Sequence, residues 1–68
     1  MEFGKRLRES RMRAGITQQQ TADHIGVSLR VYQNYEQDTR RPKYENLADL
    51  SRMFHVSTDY LLGLTDKR

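Results

Sequence analysis

One segment of nine residues gathers side chains that are suited to hydrogen bonding with flat, polar partners. Wound as a helix from Leu29 to Gln37, it places its amide and guanidinium groups within about 100° of arc. These groups belong to Arg30, Gln33, Asn34 and Gln37, and Tyr32 and Tyr35 fall on the opposite side. Arg, Gln and Asn are the side chains that make paired hydrogen bonds to guanine and adenine edges. The composition of this face therefore favours contact with bases.

The residues before this segment predict a second helix and a sharp turn. Thr17 can accept a hydrogen bond from the backbone N–H of Gln20, whose side chain can reach back, and this capping box begins a helix. Gly26 can adopt a positive φ without a Cβ clash, and Ser28 is suited to cap the next helix. The two helices are therefore expected to meet at a short turn.

Three further helices are predicted around this pair. Phe3, Leu7 and Ser10 recur at helical spacing before Gly15, which can end the first helix. Similar periodicity returns after the single proline, and Ser57 is placed to cap a last helix. The expected fold class is all-α, one compact five-helix domain spanning residues 1–68. The expected helices cover 3–14, 18–25, 29–37, 44–54 and 58–62.

The composition restricts the partners and the chemistry. The net charge of +3 favours a polyanion such as nucleic acid over a small neutral substrate. The chain has no cysteine, which excludes disulfides, thiol catalysis and cysteine-based metal centres. No segment is apolar for as long as a signal peptide or a membrane span requires. We therefore expect a cytoplasmic protein that does not bind membranes.

Neither a metal site nor an active site is indicated. His24 and His55 are the only histidines, and neither has partners at the spacing of a zinc motif. The carboxylates are scattered, and no serine, histidine and aspartate arrangement or glycine-rich phosphate loop is visible. We expect no metal, no cofactor and no enzymatic activity.

Residues 18–37, with the sequence QQQTADHIGVSLRVYQNYEQ, resemble the helix-turn-helix of the phage Cro and repressor family, also called the xenobiotic-response-element family. Ala22 is small where the two helices would cross, and Gly26 stands at the turn. The matching packing positions hold Ile25, Val27, Tyr32 and Tyr35. The resemblance continues through residues 40–42 and 56–63, so it covers nearly the whole chain. It implies a phage-repressor-like DNA-binding fold.

The resemblance also implies roles for residues on the DNA side of this fold. Contacts to bases are implied for Ser28, Leu29, Arg30, Val31, Gln33 and Asn34. Contacts to phosphates are implied for Gln18, Arg40, Arg41 and Lys43. Arg30 and Asn34 are the strongest candidates for reading bases. Leu29 and Val31 could pack against thymine methyl groups.

The residues alone leave simpler interpretations open for two of these groups. Gln18 could be a neutral start of a helix, although the helix dipole and free N–H groups there would suit a phosphate. The basic loop over 40–43 could be solvated without binding anything.

In this family the second helix of the helix-turn-helix, here residues 29–37, is called the recognition helix. The family pairs an arginine of the first helix with a glutamate of the recognition helix, and the resemblance places Arg11 and Glu36 at these positions. Such a pair would fix the two helices together beneath the surface without touching DNA. The alternative is two unrelated surface charges.

Three residues depart from the family pattern. Thr21 occupies a packing position that usually holds leucine, Asp38 replaces the usual glycine after the recognition helix, and Lys43 stands where serine or threonine often caps the fourth helix. Asp38 tolerates left-handed geometry, so the turn is expected to survive. Its carboxylate is expected to weaken or shift a nearby phosphate contact.

The expected function is sequence-specific binding of double-stranded DNA by a transcriptional regulator, a repressor, acting as a homodimer on a palindromic operator. One helix-turn-helix touches few base pairs, and two-fold pairing spaces half-sites about 34 Å apart. The alternative is a protein-interaction module, such as an antitoxin or antirepressor partner, that docks through the recognition helix or through Tyr60, Leu61 and Leu64. Affinity insensitive to salt and to DNA sequence would favour that alternative.

Overall fold

The computed structural model describes residues 2–68, and Met1, which belongs to the expected domain, lies outside the described residues. The fold is all-α, as expected, with five helices over this range. They are α1 (Phe3–Ala14), α2 (Gln18–Ile25), α3 (Leu29–Glu36), α4 (Tyr44–Phe54) and α5 (Thr58–Leu61). Two helices end one residue earlier than the sequence indicated, because Gln37 and Leu62 act as C-caps.

Local capping accounts for where the middle helices begin and end. Thr17 Oγ1 accepts a hydrogen bond from the Gln20 backbone N–H at 3.0 Å, and Gln20 Oε1 accepts one from the Thr17 N–H at 2.9 Å. Ser28 Oγ accepts from the Val31 N–H at 3.1 Å. Between these caps Gly26 has φ 76°. A residue with a Cβ would be strained in this left-handed conformation, so the sharp turn depends on glycine.

The core lies between the helix pair α2–α3 and the helices that surround it. Its buried apolar members are Phe3, Leu7, Ala22, Ile25, Tyr32, Tyr35, Leu50, Phe54, Val56, Tyr60 and Leu61. Thr21 is also fully buried, and its hydroxyl donates to the Thr17 carbonyl at 2.9 Å. The threonine in place of the usual leucine is therefore accommodated without an unpaired polar group in the core.

The start of α1 lies directly against the end of α3. A Cβ placed on Gly4 would lie 2.2 Å from the Glu36 carbonyl oxygen, so the two backbones touch where only glycine fits. Asp38 has φ 61°, and its Oδ1 accepts a hydrogen bond from the Gly4 N–H at 2.9 Å. The carboxylate therefore caps α1, which adds a long-range contact to the left-handed turn expected at this position.

The C-terminal residues fold back on α1 and are held there by Arg6. Its guanidinium donates to the carbonyls of Tyr60 at 2.9 Å and Thr65 at 2.6 Å, and to the Asp66 carboxylate at 2.8 Å. It also lies 4.5 Å from the centre of the Tyr60 ring. Over residues 2–68, none of the helices is both long enough and apolar enough to cross a bilayer.

Candidate nucleic-acid interface

The six candidate base contacts lie along α3 and at its N-cap, and their environments differ. Arg30 is exposed, and Leu29, Gln33 and Asn34 are half-buried. Val31 is half-buried because it packs against the core, so only part of its side chain is accessible. Ser28 is exposed, and its Oγ already accepts the capping hydrogen bond at the start of α3.

The N-terminus of α2 lies beside this face because the Gln18 side chain joins two residues of α3. Gln18 Nε2 donates to Glu36 Oε1 at 3.0 Å, and Gln18 Oε1 accepts from Gln33 Nε2 at 3.3 Å. The structure therefore brings together a candidate phosphate contact and a candidate base contact. This link was not predicted from the sequence.

Glu36 is the centre of the polar network beneath the interface. Arg11 Nε donates to its Oε2 at 2.7 Å, and only 13% of the Arg11 side chain and 4% of the Glu36 side chain are exposed. Arg11 Nη2 and Gln18 Nε2 also donate to Oε1, and the Tyr32 hydroxyl donates to Oε2. Both carboxylate oxygens are thus paired, which offsets part of the cost of burying the charge.

This network changes how its members ionise. Burial alone would raise the pKa of Glu36, but hydrogen bonds from Arg11, Tyr32 and Gln18 outweigh it and leave that pKa below its ordinary value. Hydrogen bonding to Glu36 raises the pKa of Arg11. Burial, followed by the contact with Glu36, raises the pKa of Tyr32 far above its ordinary value. The pair is therefore ionised, and Tyr32 is a neutral donor, at neutral pH.

Arg11 also connects the network to the turn between α1 and α2. Its Nη1 donates to the Ile16 carbonyl at 2.9 Å. One guanidinium therefore positions the end of α1, the approach to α2 and the last turn of α3. An interface built from α2 and α3 depends on this arrangement, although Arg11 itself is mostly covered.

The structure separates the three basic residues of the loop after α3, all of which are exposed. Arg40 and Lys43 line an open groove of about 500 Å³ together with Ser28 and Val31. Arg41 instead lines a small apolar pocket of about 90 Å³ together with Phe3, Pro42, Leu47 and Leu62. Arg40 and Lys43 therefore share a groove with the start of α3, and Arg41 borders a different surface.

Two groove residues were not singled out from the sequence. Glu45 and Asn46 belong to the first turn of α4 and line the groove beside Lys43. Lys43 is the N-cap of α4 but makes no capping hydrogen bond through its side chain. The i, i+3 spacing of Lys43 and Asn46 was the available signal, because residues so spaced share a helix face.

The arrangement of α2, turn and α3 agrees with a comparison across known families. A helix-turn-helix family model matches residues 7–61, which is most of the chain. The chain belongs to the helix-turn-helix family. This is a family of DNA-binding domains that are not enzymes.

Individual helix-turn-helix proteins extend this comparison. The chain is 46% identical over 63 residues to the HTH-type transcriptional regulator ImmR of Bacillus subtilis, covering 93% of this chain and 50% of ImmR. It is 38% identical over 63 residues to the cryptic phage CTXphi transcriptional repressor RstR of Vibrio cholerae, covering 93% of this chain and 56% of RstR. The chain thus spans about half the length of these relatives.

A solved helix-turn-helix structure supports the fold independently. The solution structure of the DNA-binding domain of the P22 C2 repressor matches with a TM-score of 0.82 and 31% identity. The match covers 100% of this chain and 92% of that domain. The resemblance to phage repressors drawn from the sequence is therefore confirmed at the level of family and fold.

Proposed function

We propose that this chain is a sequence-specific, double-stranded DNA-binding regulator of transcription, that it represses, and that it acts in the cytoplasm. The observation that carries the proposal is the position of one surface. The polar side of α3 contacts Gln18, at the N-terminus of α2, through Gln33, and the start of α3 borders the groove that Arg40 and Lys43 line. A helix whose outward side carries Arg, Gln and Asn, with cations beside it, suits a major groove bordered by phosphates.

Within this proposal the two sets of residues have different tasks. Ser28, Leu29, Arg30, Val31, Gln33 and Asn34 face the bases, and Arg30 is an exposed member of this set. Gln18, Arg40 and Lys43 contact the phosphates beside α3, and Arg41, which borders a different surface, contributes less. At Gln18 the backbone N–H groups of the first turn of α2 can meet an anion while the side chain stays within the network.

The proposed assembly is a homodimer on a palindromic operator. One recognition helix reads too few base pairs for a specific site, and a two-fold arrangement of two helices doubles the number read. Repression is proposed because RstR and the P22 C2 protein are both named as repressors. A further relative, BcrR of Enterococcus faecalis, is named as an activator, which makes the direction of regulation a separate point to test.

The apolar residues that the protein-interaction alternative would use are less exposed than the sequence suggested. Tyr60 and Leu61 are buried in the core, whereas Leu64 is 73% exposed. Of the three residues expected to dock on a partner, only Leu64 offers most of its surface.

Selection of bound sequences from a random duplex pool tests the proposal. We expect enrichment of a palindrome with half-sites one helical turn apart, and binding that weakens steeply as salt rises. The Arg30→Ala variant is the matched comparison: it removes an exposed candidate base contact, so its selected sequences should lose preference at one guanine per half-site. Absence of an enriched sequence together with a salt slope near zero would contradict DNA binding. An enriched, non-palindromic site would contradict the dimer alone. A reporter gene carrying the selected site would show whether this protein lowers its transcription.

A further inference from the structure

Two half-buried glutamine side chains connect the ionised Glu36 to the DNA side of α3. Gln18 Nε2 donates to Glu36 Oε1 at 3.0 Å, and Gln33 Nε2 donates to Gln18 Oε1 at 3.3 Å. This series of hydrogen bonds therefore runs from a nearly buried carboxylate to a candidate base contact. Within residues 2–68, Gln33 Oε1 has no hydrogen-bond partner.

The Glu36 carboxylate determines the direction of both hydrogen bonds that link Glu36, Gln18 and Gln33. An ionised Glu36 can only accept, so Gln18 must present its NH₂ group to it, and the low pKa of Glu36 keeps it ionised at neutral pH. The Gln18 carbonyl then faces Gln33, which must present its own NH₂ group. Turning either amide over would set one acceptor against another. The orientation of both amides therefore follows from the charge.

From this polarity we infer that Gln18 is a positioning residue that holds the Gln33 amide with its carbonyl available to DNA, so that Gln33 selects a base with an amino group in the major groove. Adenine N6 and cytosine N4 donate there, whereas guanine O6 and thymine O4 accept. Guanine or thymine at the same place would meet the Gln33 carbonyl, or would require the amide to turn and abandon Gln18. The inference rests on the proposed binding of DNA through α3.

The test measures base preference, which a merely structural role would not change. Binding of the whole chain is measured on every single-base variant of the selected operator, at one salt concentration. Gln33→Met first identifies the base pair that Gln33 reads. Gln18→Met then removes the amide link while keeping the length of the side chain. Gln19→Met is the matched control, because Gln19 is a neighbouring exposed amide that bonds only to Asp23 in the same helix.

We expect the unmodified chain to prefer adenine or cytosine over guanine and thymine by about tenfold at that base pair. Gln33→Met and Gln18→Met should both reduce this preference to about twofold or less, while preferences at other pairs and in Gln19→Met persist. If Gln18→Met does not fold, as judged by its melting curve, Gln18→Ala is measured in its place. Since the readout is a ratio between bases, a uniform loss of affinity from a missing phosphate contact does not affect it.

Three results would overturn the inference while leaving DNA binding intact: a preference for guanine or thymine at that pair, an unchanged preference in Gln18→Met, or no altered pair in Gln33→Met. Failure of the unmodified chain to bind any duplex would overturn the proposed function and the inference together. The two failures are therefore distinguishable.

Discussion

Arg11 Nε and Glu36 Oε2 lie 2.7 Å apart, and this contact joins α1 to the last turn of α3 while both side chains are largely covered. Removal of one member of a buried pair is costly because it leaves the other charge without its partner. The two members are not equivalent here, since Glu36 is the more deeply buried.

We therefore expect Arg11→Met to destabilise the domain more than Glu36→Gln does. Arg11→Met leaves a buried carboxylate and should lower the free energy of unfolding by about 3 kcal/mol or more, which is a large fraction of the stability of so small a domain. Glu36→Gln leaves an arginine that is closer to water. Urea unfolding of both single variants and the double variant measures the coupling, and losses that simply add would show that the pair does not act as a unit.

The same network predicts opposite effects of acid and alkali on stability. The pKa of Glu36 is lower in the folded chain than its ordinary value of 4.5, so the unfolded chain takes up the proton first as the pH falls. Stability due to Glu36 is thus present above about pH 4.5 and is lost as the pH falls through the folded pKa. The pKa of Tyr32 is raised above its ordinary value of 10.0, so its contribution is lost as the pH rises past that value.

Melting temperatures between about pH 2 and pH 11 measure both losses of stability: the fall in acid, or acid limb, and the fall in alkali, or alkaline limb. Glu36→Gln should flatten the acid limb. Tyr32→Phe should flatten the alkaline limb and also reduce the acid limb, because it removes one of the hydrogen bonds that lower the pKa of Glu36. An acid limb of the same slope in Glu36→Gln would assign it to other carboxylates.

The salt dependence of DNA binding should identify the phosphate contacts. Each neutralised phosphate contributes about −0.9 to the slope of log K against log salt. Arg40→Ala and Lys43→Ala should each flatten this slope without changing the preferred sequence, because both residues line the groove beside α3. Arg41→Ala should have a smaller effect, since Arg41 borders a separate pocket. Arg52→Ala removes an equal charge at the far end of α4 and should leave the slope unchanged.

Base reading by α3 should be separable from folding. Arg30 is exposed, so Arg30→Ala should melt within a few degrees of the unmodified chain yet relax selectivity at one guanine per half-site by about 1 to 3 kcal/mol. Asn34→Ala should do the same at a neighbouring base pair. Binding to every single-base variant of the operator is the measurement. A uniform loss across all variants would reassign Arg30 to the phosphates.

The parts of the fold that could be predicted from the sequence are those that depend on neighbouring residues. Thr17, Ser28 and Gly26 act on N–H groups or turns within a few positions, so their roles follow from local chemistry. Gly4 and Asp38 could not be interpreted this way, because their contact spans 34 positions and carries no periodic signal. The sequence thus indicated the geometry at Asp38 but not its partner.

The candidate site shows the same division between local and distant effects. The outward side of α3 follows from helical periodicity, which places Arg30 and Tyr32 on different sides. The separation of Arg40 from Arg41 does not follow, because adjacent loop residues have no fixed direction until the backbone is known. The amide chain through Gln18 depends on how α2 crosses α3, which is a property of packing.

Arg6 has a consequence for the order in which the chain folds. Its bonds to Thr65 and Asp66 join residues about 60 positions apart, so they close nearly the whole chain into a loop. Closing so long a loop before other contacts form is entropically unfavourable, whereas α2 and α3 can pair locally. The Arg6 contacts should therefore form after the transition state. Arg6→Ala should then accelerate unfolding and leave the folding rate nearly unchanged. The Arg6 contacts therefore act by prolonging the lifetime of the folded chain.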